Sequence, residues 1–243
     1  MGPAAMLGVI VVLVVFAVLA LLLGFSRWLA GRPWAAAGNV AVAVVLVLVA
    51  HRFWPAVVNL DTYETMPANA MVAQVYSERT GPRAYRVTVT RLPSGRMQVF
   101  EVSGDEWQID ARTLGWTARA ARLGLQPGYR FERLSARYRR AADAADAGTP
   151  PASPPSSFGL SDGDEIGEDV WAQARTSTRW ENDARPSHAQ SPWRPLAHEA
   201  RFDLWLSRES GGSGPTLDAR PANEAAEKAM LYTRANNNVR TQG

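Results

Sequence analysis

The sequence predicts a membrane-anchored α+β protein, with an N-terminal transmembrane helical hairpin followed by a small β-rich, antiparallel domain. Three observations carry this prediction. Leu7 to Phe25 is an unbroken apolar run of 19 residues. A second apolar run, Trp34 to Ala50, follows a short arginine-bearing turn. Beyond residue 70, stretches of period-two alternation are separated by Gly, Pro and Ser turns. The length of 243 residues suits one or two domains.

A helix needs roughly 20 apolar residues to cross a hydrocarbon core about 30 Å thick. The first run is rich in Val and Ile, which in water would favour a strand. In lipid the backbone must satisfy its own hydrogen bonds, so a helix is expected. A signal peptide is the rival reading. It calls for a basic leader and a shorter apolar core of about 7–15 residues. The leader here, MGPAAM, has no charged side chain.

The second span includes Asn39 and extends through His51, Arg52, Phe53 and Trp54, long side chains that can reach the interface. The spans are placed at residues 7–25 and 35–54. Trp28, Trp34 and Trp54 fall where interfacial aromatic belts are expected. Gly31, Arg32 and Pro33 make the turn between them. Asn39 has two readings, a headgroup-level side chain or an interhelical hydrogen bond. Arg27 and Arg32 lie in the hairpin loop and the N-terminal flank is uncharged, which places the loop in the cytoplasm and both termini outside. Arg52, Arg79 and Arg83 pull the other way. The expected address is the bacterial inner membrane, with a periplasmic C-terminal domain.

Residues 55–70 read as a linker, and residues 71–223 as the β-rich domain. Met71–Ser77 is an expected strand. Ala84–Leu92 alternates, with Tyr85, Val87 and Val89 on one face and Arg86, Thr88 and Thr90 on the other. Arg96–Val102 returns after the turn Pro93-Ser94-Gly95, the pattern of a hairpin. A third strand is expected at Trp107–Ala111 and a short helix at Thr113–Leu123, stopped by Gly124. Tyr129–Arg140 suits a strand through Tyr129 and Phe131, or a helix through Leu134 and Tyr138; the strand to about Ser135 is preferred. Residues 142–168 are rich in Pro, Ala, Ser, Gly and acid and read as a flexible insert. Phe202–Ser207 alternates clearly, and Thr216–Arg220 should pair back on it. Residues 224–243 read as a C-terminal tail, disordered from Asn236.

Lys and Arg total 26 against 23 Asp and Glu, a net charge of +3. Residues 1–54 hold Arg27, Arg32 and Arg52 and no acid, so the rest of the chain is neutral. A nucleic-acid binder would concentrate basic residues on one soluble face, so no nucleic-acid partner is expected. Lys228 is the only lysine, the habit of a GC-rich bacterial genome. With no cysteine, disulfide frameworks, thiolate metal sites and a cysteine nucleophile are excluded. His51, His188 and His198 are too scattered to suggest zinc.

Candidate chemistry is confined to carboxylates. Asp105, Glu106 and Asp110 lie within six residues, close enough for acid–base work or cation binding. Their plainer reading is a turn acid and surface charges beside Arg112 and Arg130. An active site would need them to converge with Asp218 or Glu64. Glu132 sits in the arginine run Arg130, Arg133, Arg137, Arg139 and Arg140, a salt-bridged surface or one that touches anionic headgroups. Asp162, Asp164, Glu165, Glu168 and Asp169 lack the spacing of a calcium loop. His188 and His198 read as surface histidines. No phosphate-binding, dinucleotide or hydrolase motif is present.

The blocks GDEWQIDARTLGW (104–116), LGLQPGYRFERLSARY (123–138) and FDLWLSRESGGSGPTLDARPAN (202–223) resemble an uncharacterised proteobacterial two-span membrane protein family, often labelled cation/multidrug efflux pump. The resemblance implies two N-terminal spans, a β-rich C-terminal domain and, by its label, a component of an efflux system. It implies no catalytic, cofactor-binding or metal-binding residue. A pump ordinarily needs ionisable groups at the bilayer midplane. None lies between Leu7 and Gly24 or between Val40 and Ala50. The expected function is therefore a non-enzymatic envelope accessory or scaffold protein without a cofactor. Its partners are the lipid bilayer and, through exposed tryptophans and strand edges, another envelope protein or a second copy.

Overall fold

A computed structural model describes residues 3–122, 124–139, 156–161, 167–176, 183–208 and 214–240. The chain forms two compact units. One comprises Met1–Thr65, Leu114–Gly128 and Gly163–Pro186; the other comprises Met66–Thr113, Tyr129–Asp162 and Ser187–Gly243.

In the first unit, α1 (Pro3–Leu29) and α2 (Pro33–Asp61) form an antiparallel hairpin. Both are long and apolar enough to cross a membrane. Their outer faces expose Val, Leu and Phe throughout, a surface suited to lipid. Their inner faces follow a seven-residue spacing of mostly small residues: Ile10, Ala17 and Gly24 on α1, and Ala36, Ala43, Ala50 and Val57 on α2. Ile10, Ala50 and Val57 cluster at one end, flanked by Leu7 and Leu13. At the other end, a Cβ added to Gly24 would lie 3.3 Å from both the Ala36 carbonyl oxygen and the Asn39 Cβ. Arg27 donates to Asn39 Oδ1 at 3.3 Å, so Asn39 takes the interhelical role.

The expected linker over 55–70 meets a helix instead, because α2 continues through Pro55 to Asp61. A proline inside a helix forfeits one hydrogen bond. Here burial offsets that loss: Ala56, Val57, Asn59 and Leu60 are all buried. The Pro55 carbonyl also accepts the Glu168 N–H at 3.2 Å. Ala56, Leu60 and Tyr63 form an apolar cluster with Leu114, Ala184 and three residues of α4 (Val170–Thr176), namely Val170, Trp171 and Ala174. The start of α4 is capped twice. Asn59 Oδ1 accepts the Val170 N–H at 3.2 Å, and Asp169 Oδ1 accepts the Ala172 N–H at 3.0 Å. Gly167, at φ +87°, approaches the Pro55 carbonyl more closely than any Cβ would allow. The short strand β1 (Glu64–Thr65) ends this stretch.

The second unit is built on two sheets. One has the order β11-β10-β2-β3-β4, antiparallel throughout. Its strands are β2 (Asn69–Gly81), β3 (Ala84–Arg91), β4 (Met97–Ser103), β10 (Ala200–Ser207) and β11 (Thr216–Pro221). The other sheet runs β6-β5-β8, from β5 (Glu106–Trp116), β6 (Gly128–Arg137) and β8 (Ala184–Gln190). There β7 (Ser156–Gly159) pairs with β6, and β9 (Arg194–Pro195) pairs with β5. Both sheets turn alternate residues into one core, including Val87, Val89, Phe202, Leu204 and Leu206 from one and Trp107, Ile109, Phe131 and Leu134 from the other. Trp107 and Phe202 meet edge to face at 5.6 Å.

The hairpin β3–β4 and the pair β10–β11 follow the alternation read from the sequence. Three further stretches differ from expectation. The helix expected at Thr113–Leu123 is strand as far as Trp116, with a helix only at α3 (Ala118–Arg122), because Trp116 Nε1 is drawn to the Gln126 carbonyl at 3.0 Å. The strand preferred from Tyr129 is present as expected and runs on to Arg137. Within the expected flexible insert 142–168, residues 156–159 form β7 and Leu160 is fully buried, since that leucine completes the core. Residues 142–155 and 162–166 lie outside the described residues. The expected tail is the helix α5 (Glu224–Arg240), capped where Asn223 Oδ1 accepts the Ala226 N–H at 3.0 Å. Arg194 fastens α5 to the sheet: it donates to the Ala219 carbonyl at 2.7 Å, to Asp218 at 3.1 Å and to Met230 Sδ at 3.7 Å.

Candidate functional site

Period two in β5 separates Trp107, Ile109 and Ala111, which enter the core, from Glu106, Gln108, Asp110 and Arg112 on the opposite face. In β6 the buried phase slips by one between Phe131 and Leu134. That slip brings both Glu132 and Arg133 to the polar side. The result is a ladder of ion pairs across β5 and β6. Arg137 and Arg139 bracket Glu106 at 2.8 and 3.2 Å. Arg133 holds Asp110 at 2.5 Å, and Arg112 holds Glu132 at 2.8 Å. His188 Nδ1 stands 3.6 Å from the second Glu132 oxygen. The Arg137 guanidinium lies over the Trp193 ring at 4.1 Å.

At Glu106 and Asp110 the carboxylates lie beneath their guanidiniums, whereas in the Arg112–Glu132 pair the guanidinium is the more buried of the two. The Asp110 side chain is only 2 % exposed, whereas that of Arg133 is 48 % exposed. The hydrogen bond to Asp110 is the main reason that the Arg133 pKa is raised above the ordinary arginine value. Arg194, behind the ladder, has its pKa lowered by burial, with Asp218 opposing the shift.

The three carboxylates singled out from the sequence therefore part company. Asp105 takes the Arg139 backbone N–H at 3.0 Å and lies 3.8 Å from Arg83. Glu106 and Asp110 share one face but are held by different arginines. Asp218 pairs with Arg194 and Arg220, and Glu64 belongs to β1 of the first unit. Glu168 pairs with Arg52 at 2.9 Å, and Asp169 caps α4. His198 accepts the Arg79 N–H at 3.3 Å. Asp162, Asp164, Glu165 and Arg140 lie outside the described residues. Among the described residues, no group of three His, Asp or Glu side chains is placed to hold a metal ion.

Carboxylates already engaged by guanidiniums are poorly placed to take a substrate proton, and the ladder works as a cross-strand brace. Arg91 was not singled out from the sequence. It lies in phase with Tyr85, Val87 and Val89, so alternation alone sends it inward. There it is buried, donates to the Leu160 carbonyl and to Gln98, and lies over Phe131 at 5.9 Å. Comparison with known proteins finds no matching family model, no curated relative and no similar solved structure.

Proposed function

We propose that this chain is a non-enzymatic accessory or scaffold protein of the bacterial envelope, anchored in the inner membrane by α1 and α2. The observation that carries the reading is the ladder: Glu106, Asp110 and Glu132 are each committed to an arginine. Two helices whose outer faces are apolar over Leu7–Phe25 and Val40–Ala50 supply the anchor. The efflux component implied by the sequence resemblance is the less favoured alternative, since neither span carries an ionisable group near its middle. The β-rich domain is taken to be periplasmic.

Alkaline extraction and thiol labelling test this together. The chain should stay with the membrane pellet in alkaline carbonate. Cysteine-free apart from Ser94→Cys, on the exposed β3–β4 turn, it should react with an impermeant maleimide in intact cells. Release into the supernatant overturns the anchor; labelling only after lysis overturns the periplasmic placement.

A further inference from the structure

We infer that β4 is a self-pairing edge, through which two copies of this chain join their sheets as an antiparallel dimer. The order β11-β10-β2-β3-β4 leaves β4 without a partner strand on its far side among the described residues. Natural sheets blunt such edges with proline, charge or shortness. The opposite edge, β11, ends in Arg220 and Pro221, and β8 carries Pro186. By contrast, β4 runs seven residues, MQVFEVS, with no proline. It also exposes two large apolar side chains on its outer face, Met97 at 67 % and Val99 at 57 %.

The hydrogen-bond register says which groups are on offer. Arg91 donates its N–H to the Arg96 carbonyl at 2.8 Å, closing the hairpin with a hydrogen-bonded pair. Alternation along an antiparallel ladder then turns the backbone groups of Gln98 and Phe100 toward β3, and those of Met97, Val99 and Glu101 outward. A two-fold axis at Val99 uses all three outward residues. Val99 faces Val99 of the second copy, and Met97 faces Glu101.

No like charges meet in this register, because Glu101 faces a methionine and keeps Arg86 behind it at 3.0 Å. The outer row Tyr76, Thr88, Val99 then continues without a break into the Val99, Thr88, Tyr76 row of the second copy. Self-complementarity about an axis is what a two-fold interface demands and what a foreign strand would have to imitate. Pairing by one edge falls below the roughly 1,200 Å² of a standard stable interface. Confinement of two anchored copies to one membrane raises their effective concentration, and the dimer rests on the anchor reading for that contribution alone.

The test uses the full-length chain in native membranes, where single cysteines can be introduced without background. Residues that face each other in a hydrogen-bonded antiparallel pair have Cα atoms about 5.5 Å apart, within disulfide reach. Val99→Cys should therefore give a disulfide-linked dimer on mild oxidation. Ser94→Cys lies five residues from the axis, which at about 3.3 Å per residue puts its mate some 30 Å away, so it should remain monomeric. Val99→Pro removes an outward N–H, which an edge strand tolerates. In detergent it should keep the wild-type melting curve while the dimer association constant falls about tenfold, a loss of about 1.4 kcal/mol. A monomeric Val99→Cys, equal crosslinking at Ser94→Cys, an undiminished Val99→Pro dimer, or a Val99→Cys adduct with another polypeptide would each overturn the pairing. Membrane sedimentation reads the anchor and crosslinking reads the pair, so the two readings fail separately.

Discussion

Asp110 and Arg133 join β5 to β6 at 2.5 Å, the carboxylate closed off from solvent and the guanidinium half open to it. That unequal burial makes the two halves of the pair unequal in consequence. Removing Arg133 strands an anion in the interior, whereas removing Asp110 leaves a cation that water can reach. Arg133→Ala should cost about 3 kcal/mol, near the lower end of values for a broken buried pair. Asp110→Asn keeps the shape and should cost about 1 kcal/mol. Urea denaturation of both variants checks the order, and equal losses would refute it.

At Gly24 the two long helices are close enough that the Ala36 carbonyl lies 3.3 Å from the place a Cβ would occupy. Gly24→Ala asks its neighbours for a few tenths of an ångström. Gly24→Ile asks for several more atoms, and overpacking of that kind costs about 1–3 kcal/mol. Thermal melting in detergent should show a small loss for alanine and a clear one for isoleucine. An isoleucine variant as stable as wild type would mean that the helices do not pack at this point.

Gly167 serves both by its left-handed backbone and by its lack of a side chain, because the Pro55 carbonyl occupies the space a Cβ would need. Gly167→Ala should free α4 from α2 at a cost of about 2 kcal/mol, within the range for strained backbone sites. Limited proteolysis near Val170 and the emission of Trp171 report the release directly. Unchanged protease resistance would contradict the contact.

Glu224 and Lys228 are one helical turn apart on α5, with 2.6 Å between their charged atoms. The hydrogen bond from Lys228 is the first cause of the lowered Glu224 pKa. A carboxyl whose folded pKa lies below its unfolded value adds stability above the unfolded pKa and loses it as pH falls through the folded one. The start of α5 should therefore loosen on acidification, and Lys228→Gln should raise the Glu224 titration midpoint. Carboxyl-carbon NMR titration of both forms measures this, and identical midpoints would exclude the pair.

How much of this was legible in the sequence depends on which surfaces each element buries. Strands β3 and β10 have one face in the core and one outside, so Val87, Val89, Leu204 and Leu206 announce themselves by alternation. Strand β5 is covered on both faces, and its Glu106 and Asp110 are buried under arginine side chains. Read in isolation, the same acids resemble turn and surface charges. Pro55 reads as a helix terminator, and only the long-range approach of residues 167–170 shows why the helix outlasts it. The C-terminal helix was more readable than expected: Asn223 followed by Glu, Ala, Lys, Met and Leu is a cap and a run of strong helix formers. Its position near the end of the chain masked that signal. The pairing of each candidate carboxylate with its own arginine could not be read in one dimension, because the partners lie some 20 to 30 residues apart.

The seven-residue spacing of Ile10, Ala17 and Gly24 against Ala36, Ala43, Ala50 and Val57 also limits how this hairpin can change over evolutionary time. Adding or deleting one residue in the middle of either helix rotates everything beyond it by about 100° and turns the small side chains away from the partner helix. A heptad, worth about 10.5 Å of rise, is the shortest insertion that keeps the seam to within about 20°. A bilayer a few ångströms thicker or thinner cannot be matched by steps of that size. On the anchor reading proposed above, the hairpin meets such a membrane by tilting, and its thickness tolerance is set by geometry rather than by hydrophobicity.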